Sequence, residues 1–284
     1  MYEADHLPYP ARHLFPMKDL YKINNHTDFL ISSRGCKHNC AFCINKSFWK
    51  QEVSFRSVEN VMGEIDEMTQ KYNTKHICFY DETFGFNPNI VKDLCWRIRN
   101  EYPNIDWAIE TRLDMFEKKT FKMLADSNCK LIYFGFESFS DPTLLCSAKN
   151  NTSEQSYQTL NSAKESGIES IMGTFIVGLP GDTIESFKET VAATEKLVKN
   201  GVIDICYFLP LVPFPGTDIF HKPHKYGIKI HTKDFNKYYY ILDNPITLET
   251  KTMTRGDIKT LHDFALQRML AVLQEKMKKE GFSV

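Results

Sequence analysis

The run Leu131-Ile132-Tyr133-Phe134-Gly135-Phe136, closed by Glu137, decides the fold class. It has the length of a strand, carries no charge, and lacks the polar–apolar alternation of a half-exposed sheet. A strand apolar at nearly every position is buried on both faces, as in parallel sheets. Ser170–Val177 reads the same way. Working outward, shorter strand-like runs fall at Asp28–Ser32, His76–Tyr80, Asp106–Glu110 and Ile203–Leu209. Between them apolar residues recur at helical spacing: Val58, Val61, Met62, Ile65 and Met68, then Ile90, Val91, Leu94 and Ile98, then Phe187, Val191 and Val198. Ser57 and Thr152 stand where helix N-caps belong, and Gly167 and Gly201 stand just past helix ends.

Six strands alternating with helices predict parallel pairing through right-handed crossovers. A closed eight-stranded barrel needs about 250 residues, whereas the six units here occupy residues 27–210. The expected fold is therefore α/β, a partial (β/α)6 barrel of the TIM type. A doubly wound open sheet is the competing arrangement. Residues 1–26, rich in proline and aromatics, read as an extended lead-in, and 27–210 as the core barrel. In 211–284 prolines 213, 215, 223 and 245 break the rhythm before a final helix with Ile258, Leu261, Ala265, Met269 and Val272 on one face. That segment is expected to form a C-terminal helical extension closing the substrate side.

The 284 residues carry a net charge of −1, with no block of like charge long enough to form a tail. Nucleic acid is thus disfavoured as a partner, because phosphate binding rests on clustered Lys and Arg. No apolar stretch approaches the ~20 residues needed to span a bilayer, and the first residues lack a signal-peptide pattern. The expected compartment is the cytoplasm, where thiols stay reduced. Eight cysteines there point to metal or reactivity before disulfides.

Three of the eight lie in Arg34-Gly35-Cys36-Lys37-His38-Asn39-Cys40-Ala41-Phe42-Cys43, directly after the first strand. Thiolates this close converge around something soft and positive, zinc or an iron–sulfur cluster. Structural zinc takes four closed ligands, normally as two separated pairs. No second pair exists, since Cys78, Cys95, Cys129, Cys146 and Cys206 are scattered singly, and His38 sits at an awkward spacing inside the loop. A cubane on three cysteines fits better and leaves one iron open, whereas electron-transfer clusters use four thiolates.

With that loop the chain resembles the radical S-adenosylmethionine superfamily, whose three cysteines are spaced as here with an aromatic, Phe42, before the third. The resemblance covers residues 7 to 220 and is closest to the branch that usually carries an N-terminal cobalamin-binding domain. It rests on Leu7-Pro8-Tyr9-Pro10, Ser33-Arg34-Gly35-Cys36, Asp81-Glu82-Thr83-Phe84, Thr111-Arg112-Leu113-Asp114, Phe134-Gly135-Phe136-Glu137-Ser138, Gly178-Leu179-Pro180-Gly181 and Pro213-Phe214-Pro215-Gly216-Thr217.

The resemblance implies a [4Fe–4S] cluster on Cys36, Cys40 and Cys43, with S-adenosylmethionine as cofactor. It places Phe42, Asp81, Glu82, Arg112, Glu137, Ser138, Gly178 and Gly181 around that cofactor. The Asp81-Glu82 turn would meet its amino group, unless it is a solvated turn. Arg112 would clamp its carboxylate, unless it pairs with Asp114 or Glu110. Glu137 would meet the ribose hydroxyls, unless it forms a structural salt bridge. The two glycines would let backbone approach the adenine, or simply make a tight turn, with Asp182 capping the next helix. Cys78, Cys129 and Cys206 read as core residues, and His221, His224 and His231 as surface or substrate-pocket residues.

The implied function is reductive cleavage of S-adenosylmethionine to a 5′-deoxyadenosyl radical that abstracts hydrogen from a small-molecule substrate. The electron would come from a donor such as flavodoxin or ferredoxin. No cobalamin-binding signature is found, so cobalamin use stays open. A cobalamin-dependent radical methyltransferase with that domain missing or supplied in trans is one alternative, and a non-catalytic iron–sulfur or zinc-binding regulatory protein is another.

Overall fold

The computed structural model describes residues 4–239 and 245–279. Six strands form one sheet: β1 (Thr27–Leu30), β2 (His76–Phe79), β3 (Asp106–Arg112), β4 (Cys129–Glu137), β5 (Ser170–Val177) and β6 (Ile205–Pro210), neighbours in that order. β1 pairs in parallel with β2 from Thr27↔His76 to Leu30↔Phe79, and β2 pairs with β3 in the same sense from His76↔Asp106. β5 and β6 are parallel from Met172↔Ile205. A doubly wound sheet reverses its strand order at a switch point. This sheet never does, and its strand order is that of a partial barrel. All six expected strands are present, and no end differs from the sequence reading by more than two residues.

The longer helices are α1 (Val58–Tyr72), α2 (Pro88–Glu101), α3 (Lys118–Asp126), α4 (Ser153–Glu165), α5 (Ile184–Lys199) and α6 (Arg255–Lys279). Ser57 caps α1 by accepting from Asn60 N at 3.1 Å. Thr152 Oγ1 accepts from Gln155 N at 3.2 Å while Gln155 Oε1 accepts from Thr152 N at 2.9 Å, a reciprocal cap at the start of α4.

The chain folds as two compact units. The first runs to Lys37 and adds Gln51–Phe134 and Thr159–Ile171; the second comprises His38–Lys50, Gly135–Gln158 and the chain from Met172. In the first, the rings of Phe79, Phe84 and Trp107 meet edge to face with centroids 5.2 to 6.0 Å apart. Trp107 Nε1 donates to the Ser127 carbonyl at 2.6 Å, so the indole is buried with its polar atom satisfied.

The lead-in departs from the extended reading. Ala4–His6 and Arg12–Leu14 are 3-10 turns, and Met17–Ile23 is an α-helix. That helix forms because it buries Tyr21, whose hydroxyl reaches Thr74 at 2.7 Å and Asp28 at 3.0 Å. Arg12 is likewise buried, bonded to Asp28 at 2.7 Å and Glu64 at 2.8 Å.

The core of the second unit is a column of stacked rings. Phe136, Phe175 and Phe208 lie 5.1 and 5.0 Å apart with interplanar angles of 15° and 17°, and Phe187 of α5 meets Phe208 edge-on. Helix α6 packs on α5 and β6. Its expected apolar face is buried at Ile258, Leu261, Ala265, Met269 and Val272.

Phe175→Ala, at the centre of the column, should cost about 3–5 kcal/mol in urea unfolding. Leu145→Ala, on an exposed side chain, should stay within about 0.5 kcal/mol of wild type. Equal effects would deny the column its role.

Candidate active site

Cys36 follows the short strand Ser33–Gly35, which pairs antiparallel with Val53–Phe55. Gly35 has φ +103°, and a Cβ there would stand 2.0 Å from the Glu52 carbonyl oxygen. Only glycine fits this approach to the cysteine loop. Its N–H donates to Glu82 Oε2 at 2.8 Å, and Cys36 Sγ lies 3.5 Å from Thr83 Oγ1.

Asp81, 1% exposed, is not a solvated turn residue. Its carboxylate accepts from Ser32 N at 2.8 Å, Ser32 Oγ at 2.7 Å and Ser33 Oγ at 2.5 Å. Burial pushes its pKa up to about 6, against the opposing pull of those serine hydrogen bonds. The Asp81-Glu82-Thr83 turn thus holds the segment that presents Cys36.

Cys40 and Cys43 belong to the second unit. Cys43 N donates to Cys40 O at 3.1 Å, Ala41 N to Ser147 O at 2.9 Å, and Ile219 N to Ala41 O at 3.2 Å, so the loop backbone is fixed between two segments of that unit. None of the eight cysteines is in a disulfide; Cys36 and Cys40 are buried and Cys43 half-buried. Phe42 is half-buried. Among the described residues no three His, Cys, Asp or Glu side chains are arranged to hold a single metal ion. A cubane makes no such demand, because each thiolate binds a different iron. Three reduced thiols on a stiffened loop, with no Asp or Glu from Arg34 to Gln51, fit such a group.

Arg112 is buried, and its fork is taken by Asp114: Nε to Oδ1 at 2.8 Å and Nη2 to Oδ2 at 2.9 Å. The ion pair that competed with the carboxylate clamp is therefore formed. Glu137 ends β4 with φ +65°, a conformation few non-glycine residues hold without compensation. Its Oε1 pairs with Lys149 Nζ at 2.5 Å, and Lys149, itself 3% exposed, also donates to the Gly135 carbonyl.

Ser138 turns the other way. Its hydroxyl lies 3.3 Å from Thr190 Oγ1 of α5 and accepts from Ser140 N at 3.0 Å, so its partners here belong to the helix and the following turn. Gly178 and Gly181 have φ of +84° and +81°. A Cβ would come 3.0 Å from Ile258 at the first and 2.9 Å from Cys146 at the second, so a tight turn packed by protein already accounts for both. Thr183, not Asp182, caps α5, in a reciprocal box with Ser186. Asp182 instead accepts from Ser186 Oγ at 2.6 Å and from Gly178 N at 3.4 Å.

Sequence reasoning missed Lys149, Thr83 and the Ser32–Ser33 pair. The only signal for Lys149 was that a carboxylate closing an apolar strand needs a partner. Cys78 and Cys129 are buried as expected, Cys206 is half-buried, and His221, His224 and His231 are on the surface.

The family model described as the radical SAM superfamily matches residues 30–194. The chain belongs to the radical SAM superfamily. Proteins of this superfamily use S-adenosylmethionine and a [4Fe–4S] cluster. An uncharacterized methyltransferase of Pyrococcus horikoshii is 34% identical over 215 residues, covering 75% of this chain and 46% of that protein. An anaerobic magnesium-protoporphyrin IX monomethyl ester cyclase of Rubrivivax gelatinosus is 25% identical over 228 residues, covering 80% and 39%. Among solved structures, the radical S-adenosylmethionine methyltransferase TsrM of Kitasatospora setae, with cobalamin and a [4Fe–4S] cluster bound, superposes with a TM-score of 0.64. The identity is 18%, covering 76% of this chain and 44% of that one, which shows a shared fold. The chain spans less than half the length of these two curated relatives. Among the described residues no helix is long and apolar enough to cross a membrane.

Lys149→Met leaves Glu137 buried beside no cation and should cost about 3–5 kcal/mol in chemical unfolding. Adding Glu137→Gln should recover a large part of that loss, which a mere packing role for Lys149 would not produce.

Asp182 gives a pH test. Burial lifts its pKa from an ordinary 3.8 to about 6. Between those values the folded chain keeps a proton that the unfolded chain has released, so the group's stabilising contribution is complete below the unfolded pKa and is lost as pH rises through 6. Urea titrations at pH 5 and 7.5 should show Asp182→Asn losing less stability across the interval than wild type. Identical losses would exclude the buried-acid origin.

Proposed function

We propose that this chain cleaves S-adenosylmethionine reductively and turns the resulting radical on a small molecule, with Cys36, Cys40 and Cys43 as ligands of a [4Fe–4S] cluster. The observation that carries the reading is the cysteine loop: three cysteines outside any disulfide, a fixed backbone and a glycine, Gly35, that no other residue can replace. When bound, the cluster supplies one electron to the sulfonium, whose S–C5′ bond breaks to leave methionine and a 5′-deoxyadenosyl radical.

The protein's own residues orient and enclose. Asp81 and Glu82 act by holding the Ser32–Cys36 segment, and the turn they form faces the cofactor's amino group. Glu137, held by Lys149, offers its second carboxylate oxygen to the ribose hydroxyls. Phe42 flanks the third ligand. Gly178 and Gly181 act through the turn they permit beside the adenine, and Arg112 positions the Thr111–Asp114 loop. The chain from residue 211 contributes substrate contacts, and the electron comes from a low-potential flavodoxin or ferredoxin.

A second reading is methyl transfer through cobalamin, supported by the methyltransferase names of the Pyrococcus relative and of TsrM. The two separate under anaerobic reconstitution with methyl-deuterated S-adenosylmethionine and candidate metabolites, with and without methylcobalamin. Hydrogen abstraction alone forms 5′-deoxyadenosine in the absence of cobalamin. Methyl transfer places the label in the product only when cobalamin is present and releases S-adenosylhomocysteine as well.

Cys40→Ala should abolish 5′-deoxyadenosine and lower bound iron and sulfide well below wild type after identical reconstitution. Stoichiometric zinc in the wild-type chain, with negligible iron, would overturn the assignment.

A further inference from the structure

Beyond the cysteine loop, the first unit holds a cavity of about 260 Å³ between the lead-in and the edge strand β1. Leu7, Pro8 and Pro10 form one wall; Phe29 and Tyr80, with rings 5.7 Å apart and edge to face, form the other. These aromatics are 52% and 61% exposed, and Leu7 is 42% exposed, so a large apolar surface is left to water.

The carboxylate beneath the cavity is already paired. Glu64 is held between Arg12 at 2.8 Å and Arg56 at 2.6 Å, and Arg56 also stacks on Tyr9. Arg34, at the lip, is different. It is exposed, and its guanidinium makes no hydrogen bond or ion pair among the described residues.

We propose that this cavity binds a small aromatic carboxylic acid, its ring between the proline wall and the Phe29–Tyr80 pair and its carboxylate on Arg34. The volume sits just below the usual range for small-molecule sites, which suits a ligand of one or two rings. The pairing is charge-matched, because Arg34 is the lining cation not engaged by a protein carboxylate, and a guanidinium takes a carboxylate through two parallel N–H donors. A neutral aromatic would gain the ring contacts alone.

The test is methyl NMR of the full chain titrated with benzoate, 2-naphthoate and indole-3-acetate, and with 2-naphthamide as the neutral isostere. At least one acid should shift the methyls of Leu7, Leu30 and Ile31, and Arg34→Gln should weaken it about tenfold while leaving 2-naphthamide unaffected. Tyr80→Ala should weaken both. Arg34 is exposed, so an unchanged methyl spectrum of the free variant certifies its fold. Shifts outside the cavity, an affinity indifferent to Arg34→Gln, or silence from all three acids would overturn the proposal. The readout needs neither cluster nor S-adenosylmethionine, so its failure leaves the reading of the cysteine loop untouched.

Discussion

The carboxylate of Asp81 is the constraint on which the first half of the site depends. Removing a charge from water costs several kcal/mol, and here three donors from Ser32 and Ser33 offset that cost. Those donors lie at the exit of β1, while Asp81 lies at the exit of β2. One buried group therefore fixes the ends of two neighbouring strands. Glu82 extends the tie to Gly35 N, and Gly35, lacking a Cβ, lets the chain pass against Glu52 and deliver Cys36. A ligand loop is only as precise as its supports. Here the support is polar and buried, with partners that are hard to exchange.

The same logic recurs at Glu137. A buried ion pair is seldom more stabilising than apolar side chains of equal volume, and a positive φ adds strain. Neither feature helps the fold for its own sake. Together they hold a carboxylate at the end of an apolar strand in one orientation, with Lys149 bonded to both the carboxylate and the Gly135 carbonyl. Strain and buried charge at one residue mark a position kept for its geometry.

Much of the fold was legible because it is written in periodicity. Leu131–Phe136 and Ser170–Val177 read as strands, and the structure buries one of their faces and half-buries most of the other, while the stripes of α1 and α6 are helices packed on one side. The cysteine spacing was legible because thiols are few and their chemistry narrow. What escaped were relations between residues distant in sequence. Nothing local says that Ser138 faces Thr190, or that Ile258 and Cys146 occupy the space left by Gly178 and Gly181. Side-chain direction at a strand end depends on the turn that follows, and Glu137 leaves the extended backbone there with φ +65°. The helix in the lead-in escaped for a related reason. Tyr21 is anchored by Thr74, some fifty residues away, and no local pattern announces that bond.

Electrostatics links the loop to its surroundings. From Arg34 to Gln51 the chain has four cations, Arg34, Lys37, Lys46 and Lys50, and no Asp or Glu, although the whole protein is nearly neutral. Lys46 is committed to Asp218 at 2.9 Å, and Lys37 lies over the Phe86 ring at 5.9 Å. Three thiolates gathered within eight residues repel one another, and a neighbouring carboxylate would add to that repulsion. Asp81 and Glu82, the acids that support the loop, direct their oxygens to Ser32, Ser33 and Gly35. The loop thus carries an excess of cationic side chains where it must gather anionic sulfur, and the carboxylates that shape it point into hydrogen bonds with Ser32, Ser33 and Gly35.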